Sequence, residues 1–150
     1  MGYRSDVAYG VRVDEVNLSE NATEEEKNLS ADGIFLLMLT EMQQDEVAKK
    51  CFDSTNEIND YLTINKENRS IKFYADSLKW YDNYEDVKAH ERLYAIAEEY
   101  AEQYGSETMN NPVSCAFIRI GEEADDVEER GGGYDPWNIM YVSRSIEMNI

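Results

Sequence analysis

Basic residues are scarce: 14 Lys and Arg stand against 32 Asp and Glu in 150 residues, a formal net charge of −18. A surface so short of positive charge repels nucleic acid and anionic membranes and attracts basic surfaces. Direct binding to either polyanion is therefore not expected. Histidine occurs once, as His90. It sits in the middle of an apolar helical stripe, with no Ser, Cys or Asp partner at a useful spacing, so a packed, hydrogen-bonded core role is expected rather than a general base. The two cysteines, Cys51 and Cys115, fit no metal or redox spacing and lie among apolar residues, which reads as buried, reduced thiols of a cytoplasmic protein. Long hydrophobic runs are missing too. The longest spans residues 34–39, far below the roughly 20 residues of a membrane span. The chain opens with a polar, strand-like segment, so no signal peptide is expected.

Recognisable ligand-binding motifs are equally absent. The run EEADDVEE at 122–129 lacks the alternating oxygen ligands and central glycine of a calcium loop. Gly131-Gly132-Gly133 lacks the Lys-Ser/Thr that completes a phosphate loop, and reads as a hairpin turn. These features predict no metal, no cofactor and no enzymatic activity.

Eleven tyrosines, two tryptophans and a 42% hydrophobic share argue for a folded chain, and the length suits one domain. Val7, Tyr9, Val11 and Val13 alternate with Ala8, Gly10 and Arg12, the pattern of a half-buried strand. A polar, acidic loop over 14–30 follows, with a helical turn near 23–27. Ser30 or Asp32 is placed to cap a helix from about Gly33 to Gln44, with Phe52 as its furthest extent. Phe35, Met38, Leu39 and Met42 form its inner face, widened by Ile34 and Leu37. A helix this apolar is either deeply packed or partly covered by a partner.

Residues 58–64 and 69–80 read as two strands around the turn Asn65-Lys66-Glu67-Asn68, with Ile71, Phe73 and Ala75 facing one way and Lys72, Tyr74 and Asp76 the other. A second helix is predicted from Asp82 as N-cap, with Glu85 as capping-box partner, to Tyr104 before Gly105. Strands at 113–121 and 137–148 complete the chain. The order is βαββαββ, a ferredoxin-like arrangement: a two-layer α+β sandwich with both helices on one face of a mostly antiparallel sheet.

Negative charge concentrates in the helices and loops, whereas the strand-rich segments are neutral or slightly basic. On the second helix Glu91, Glu98, Glu99 and Glu102 gather opposite the apolar stripe. The exposed sheet face is expected to carry Arg12, Lys72, Tyr74, Phe117, Arg119 and Tyr141. Basic residues among aromatics resemble an RNA-binding sheet, but the glycine-rich signature of that family is missing and the net charge opposes phosphate binding. A homodimer through Tyr74, Phe117 and Tyr141 is the expectation for this face.

Gly2-Tyr3-Arg4-Ser5-Asp6-Val7 and the stretch Leu78-Lys79-Trp80-Tyr81 … Tyr84-Glu85-Asp86-Val87 resemble segments of small bacteriophage and prophage proteins that open with a GYRSDV strand and carry a KWY-to-DV strand–helix junction. The resemblance covers about a fifth of the chain and implies a phage origin, with no catalytic residues to carry over. With the acidity, it leads to the expectation of an inhibitor of a basic, nucleic-acid-handling host protein such as a CRISPR effector, restriction enzyme or nuclease. Contact is expected through Glu91, Glu98, Glu102, Glu122, Glu123, Asp125, Asp126, Glu128 and Glu129, which would stand in for DNA phosphates. A toxin-neutralising immunity protein or small acidic regulator is the alternative.

Overall fold

The computed structural model describes residues 2–133. Strand β1 (Ser5–Val13) leads through the 14–30 loop, with a 3-10 turn at Glu26–Asn28, into helix α1 (Ala31–Gln44). Two further 3-10 turns, Ala48–Phe52 and Glu57–Tyr61, precede the hairpin of β2 (Leu62–Asn65) and β3 (Ser70–Leu78). Helix α2 (Glu85–Gln103) returns the chain to β4 (Val113–Gly121), which pairs with β5 (Val127–Gly132). The five strands form one antiparallel sheet in the order β2-β3-β1-β4-β5. Its first four strands have the ferredoxin-like arrangement, each helix linking two strands that flank a third. The βαββαββ order is as the sequence implies, but the last strand is not the expected one. The 137–148 strand, and Tyr141 with it, lies outside the described residues.

Alternation places Val7, Tyr9, Val11 and Val13 of β1 and Ile71, Phe73 and Ala75 of β3 in the core, all at most 4% exposed. Register then puts Tyr9 between Phe73 and Phe117 in a row of three rings across the sheet, stacked on either side at centroid distances of 5.1 and 6.1 Å. Both helices lie over this face. From α1 come Ile34, Phe35, Met38, Leu39 and Met42; from α2 come Val87, Leu93, Tyr94, Ile96 and Ala97. Leu37 does not widen the buried face of α1; it is 55% exposed.

Local hydrogen bonding explains the shifted boundaries. Ser30 caps α1 by accepting from the Gly33 amide. The helix stops at Gln44 because Asp45 turns to extended backbone, and its Oδ1 then accepts from the amides of Val47 and Ala48 at 3.0 and 2.9 Å. That carboxylate starts the next 3-10 turn, so the helix does not run on to Phe52. Residues 57–61 form a 3-10 turn instead of strand because Asn56 accepts from the Ile58 amide, while Asn59 Nδ2 donates to the carbonyls of Lys50 and Asp53, both at 2.8 Å. Side chains that satisfy backbone groups locally compete with the sheet ladder. Asp82 is not the cap of α2. It lies in a turn closed by the Tyr84 amide on the Tyr81 carbonyl, and Tyr84 precedes the helix with no side-chain cap bond. Glu85 and Asp86 in the first turn supply negative charge to that helix end instead.

His90 is fully buried and bonded at both ring nitrogens, to the Tyr9 hydroxyl at 2.5 Å and to Asn59 Oδ1 at 2.8 Å. The Asn59 amide nitrogen is committed to two carbonyls, so its oxygen must accept from His90 Nε2–H. Nδ1 is then left to accept from Tyr9. Burial holds the imidazole neutral, lowering its pKa to about 4. Burial likewise raises the free thiols of Cys51 and Cys115 to about 12 and about 11. Among the described residues no helix is long and apolar enough to cross a membrane.

Candidate functional site: an acidic edge

The run 122–129 is not one loop. Residues 122–126 turn the chain, and Val127 already pairs with Ile120 as β5 begins. Gly131 and Gly132 belong to the strand rather than to a turn. At Gly132 a Cβ would sit 3.2 Å from Cys115 Sγ and 3.3 Å from Ala101 Cβ, so a side chain there would push on α2 and on β4 by a few tenths of an ångström.

Strand alternation divides the acids. Glu128 pairs with Arg119 and points to the helix side, whereas Glu129 pairs with Ile118 and points to the other side. Arg119 holds Asp126 through two bonds, 2.7 Å from Nη2 and 3.1 Å from Nη1, and reaches Glu128 from Nε at 3.3 Å. The Tyr3 hydroxyl donates to the same Asp126 carboxylate at 2.5 Å. These bonds, with the Arg119 charge, lower the Asp126 pKa to about 2. Arg130 forks Glu91 of α2, its Nη2 lying 3.0 and 2.8 Å from the two carboxylate oxygens. Its guanidinium covers the Phe117 ring at 3.9 Å. Glu128 Oε2 lies 3.0 Å from Arg130 Nε without a hydrogen bond to it, so that contact is Coulombic.

Arg130 therefore ties Glu91 of α2 to the hairpin. Glu98 is half-buried beside this cluster. Burial raises its pKa, Arg130 lowers it and Glu91 raises it. Glu99 is taken by Arg92 at 3.0 Å, and Glu102 is exposed. At the turn Glu122, Glu123 and Asp125 are exposed, with Glu122 accepting from the Arg4 amide at 2.8 Å.

The nine acids expected to touch a partner thus fall into two sets. Glu91, Asp126 and Glu128 are engaged by Arg119 and Arg130 and hold the hairpin to the helix. Glu98, Glu102, Glu122, Glu123 and Asp125 face solvent wholly or partly along one edge, and Glu129 faces it from the other side of β5. Arg130 and Tyr3 are the residues that sequence reasoning missed, and Arg119, expected on the exposed sheet face, lies on the helix side instead. The signal was the Glu128-x-Arg130 alternation, legible once 127–132 is read as a strand.

The expected dimer face needs correction. Phe117 is 0% exposed and lies in the core beneath Arg130, and Arg119 shares its side of the sheet, opposite Val7. Of the described residues in the expected set, Arg12, Lys72 and Tyr74 lie on the face away from the helices, where Tyr74 is 62% exposed. On β4 that face presents Ser114, Ala116 and Ile118, all buried. Its charges nearly cancel, Arg12 and Lys72 standing against Asp6, Asp76 and Glu129. No run of exposed aromatics is present there among the described residues. Among the same residues no group of three or more His, Cys, Asp or Glu is arranged to hold a metal ion. The chain matches no known family, no curated protein and no solved structure.

Proposed function

We propose that this protein is an acidic inhibitor, of phage origin, that occupies the cationic nucleic-acid-binding surface of a host defence protein. The observation that carries this reading is the joining of α2, through Glu91, to the β4–β5 hairpin in one edge. Among the described residues Arg119 and Arg130 offset the acids there, and both are spent on holding the edge together. Glu98 and Glu102 stand one helical turn apart, about 6 Å along the axis. Like charges at that spacing destabilise a helix by about 0.2–0.5 kcal/mol. The half-burial of Glu98 adds to that cost, and its carboxylate makes no hydrogen bond among the described residues. A duplex carries one phosphate per about 3.4 Å on each strand, so this pair of carboxylates, about 6 Å apart, imitates part of one strand rather than a whole groove. Complementary fields of this kind chiefly accelerate and orient association.

The test is inhibition of DNA cleavage by a purified panel: a restriction endonuclease, a bacterial nuclease and a CRISPR effector, each with its own duplex substrate. At least one should be inhibited in competition with DNA, with affinity falling roughly tenfold or more between 50 and 200 mM salt. The variant Glu98→Gln, Glu102→Gln, Glu122→Gln, Glu123→Gln, Asp125→Asn, Glu129→Gln spares the structural acids and should stay folded but inactive. Equal inhibition by this variant, or none across the panel by the native protein, would refute the proposal.

A further inference from the structure

We infer that the outer face of α1 is a second docking element, a leucine ridge that seats in an apolar groove rimmed by Lys or Arg on a protein partner. This rests on the reading of a basic partner and adds an apolar anchor to it. Helix α1 carries no basic residue and sets two leucines among the polar residues of its outer side. Its inner side is fully used, with Ile34, Phe35, Met38, Leu39 and Met42 buried. The consecutive Leu36 and Leu37 point outward, 62% and 55% exposed. Their helical neighbours are Asp32, Gly33, Thr40 and Glu41. An outward ridge of two leucines contributes nothing to this core. In α2 the corresponding side is charged, with Lys88, Glu91, Glu99 and Glu102.

The flanking charge decides the occupant. Asp32 precedes Leu36 by one turn and Glu41 follows Leu37 by one turn, putting a carboxylate at each end of the ridge. Arg69 touches Asp32 through Nη1 at 3.4 Å, but the same guanidinium pairs through Nη2 with Glu15 at 3.1 Å, so its charge is divided between two acids. A second copy of this chain would bring the same carboxylates and another net charge of −18 against them. A neutral apolar surface would leave them without partners. A groove with a basic rim satisfies both the leucines and the acids, in the manner of a helix lying in a groove.

The probe is a synthetic amphipathic Leu/Lys helix, whose apolar stripe flanked by lysines presents that chemistry, with oligolysine and a Leu/Gln helix as controls. Leucine-methyl NMR should show the Leu/Lys helix shifting Leu36 and Leu37. Leu36→Ser/Leu37→Ser, exposed positions that leave the melting curve in place, should weaken its binding tenfold or more. Oligolysine binding should be unchanged by that double variant and lost on neutralising the α2–hairpin acids, so failure of the ridge and failure of the acidic edge are read separately. Equal binding of the Leu/Lys helix to the double variant would overturn the inference. Two other results would also overturn it. Self-association abolished by the double variant would assign the ridge to a second copy, and binding to phosphatidylcholine vesicles lost in the variant would assign it to lipid.

Discussion

Acidification from pH 7 to pH 5 should cost this protein about 2 kcal/mol through His90 alone. The folded imidazole is held neutral, its pKa lowered to about 4 by burial, while the unfolded chain titrates near 6.5. The unfolded state therefore binds the proton first, and stability is full above about pH 6.5 and lost as pH falls toward 4. At pH 5 the difference in proton binding is worth roughly 2 kcal/mol, a large part of a stability of about 5–15 kcal/mol. The geometry agrees with the sign. A proton on Nδ1 would meet the Tyr9 hydroxyl, which now donates there, and would turn that donor away from its acceptor. Acid also discharges carboxylates and relieves the self-repulsion of a −18 chain, which acts in the opposite direction. Urea titrations at pH 7, 6 and 5 in 1 M NaCl, where the screening length is about 3 Å, remove most of that term. His90 is the only histidine, so its ring resonances in NMR report one site. A folded-state titration near pH 6.5, or a stability unchanged between pH 7 and 5, would refute the reasoning.

Phe117→Lys should cost at least the 3–5 kcal/mol of a large core truncation and leave the chain unfolded or molten by near-UV circular dichroism, whereas Tyr74→Lys should melt within about 0.5 kcal/mol of the native protein. Arg130→Met removes the partner of Glu91, so it should destabilise by about 2–4 kcal/mol in denaturant titration. Adding Glu91→Met to it should restore part of that loss, and a double variant no better than the single would contradict the ion-pair account.

Where periodicity was clean, the sequence was sufficient. β1 and β3 alternate, so both strand faces could be read directly, and of the two caps open for α1, Ser30 and Asp32, the structure selects Ser30 and starts the helix two residues before Gly33. β4 offers no such pattern. Val113-Ser114-Cys115-Ala116-Phe117-Ile118 is buried throughout, and only its register against Tyr9 assigns Phe117 to the core. β5 was hidden for a different reason. Its Val-Glu-Glu-Arg-Gly-Gly composition is poor for a strand in isolation, and its place in the sheet depends on Arg119 and Glu91 from elements 9 and 39 residues away. The terminations at Asp45 and Asn59 turn on which backbone amide or carbonyl a short side chain reaches, which local spacing does not specify.

The clamps on the hairpin divide it into stem and tip. Arg119 and Arg130 fix the pairing of β5, and Gly132 lies close under α2, so substitutions in the stem are felt in the core. The tip is held differently: the amide of Glu123 bonds to the Tyr3 hydroxyl, its carbonyl accepts from the Asp126 amide, and Glu122 accepts from the Arg4 amide. Those bonds leave the side chains of Glu123 and Asp125 in solvent. A change of side chain there alters the charge of the tip without touching the two arginine clamps beneath it.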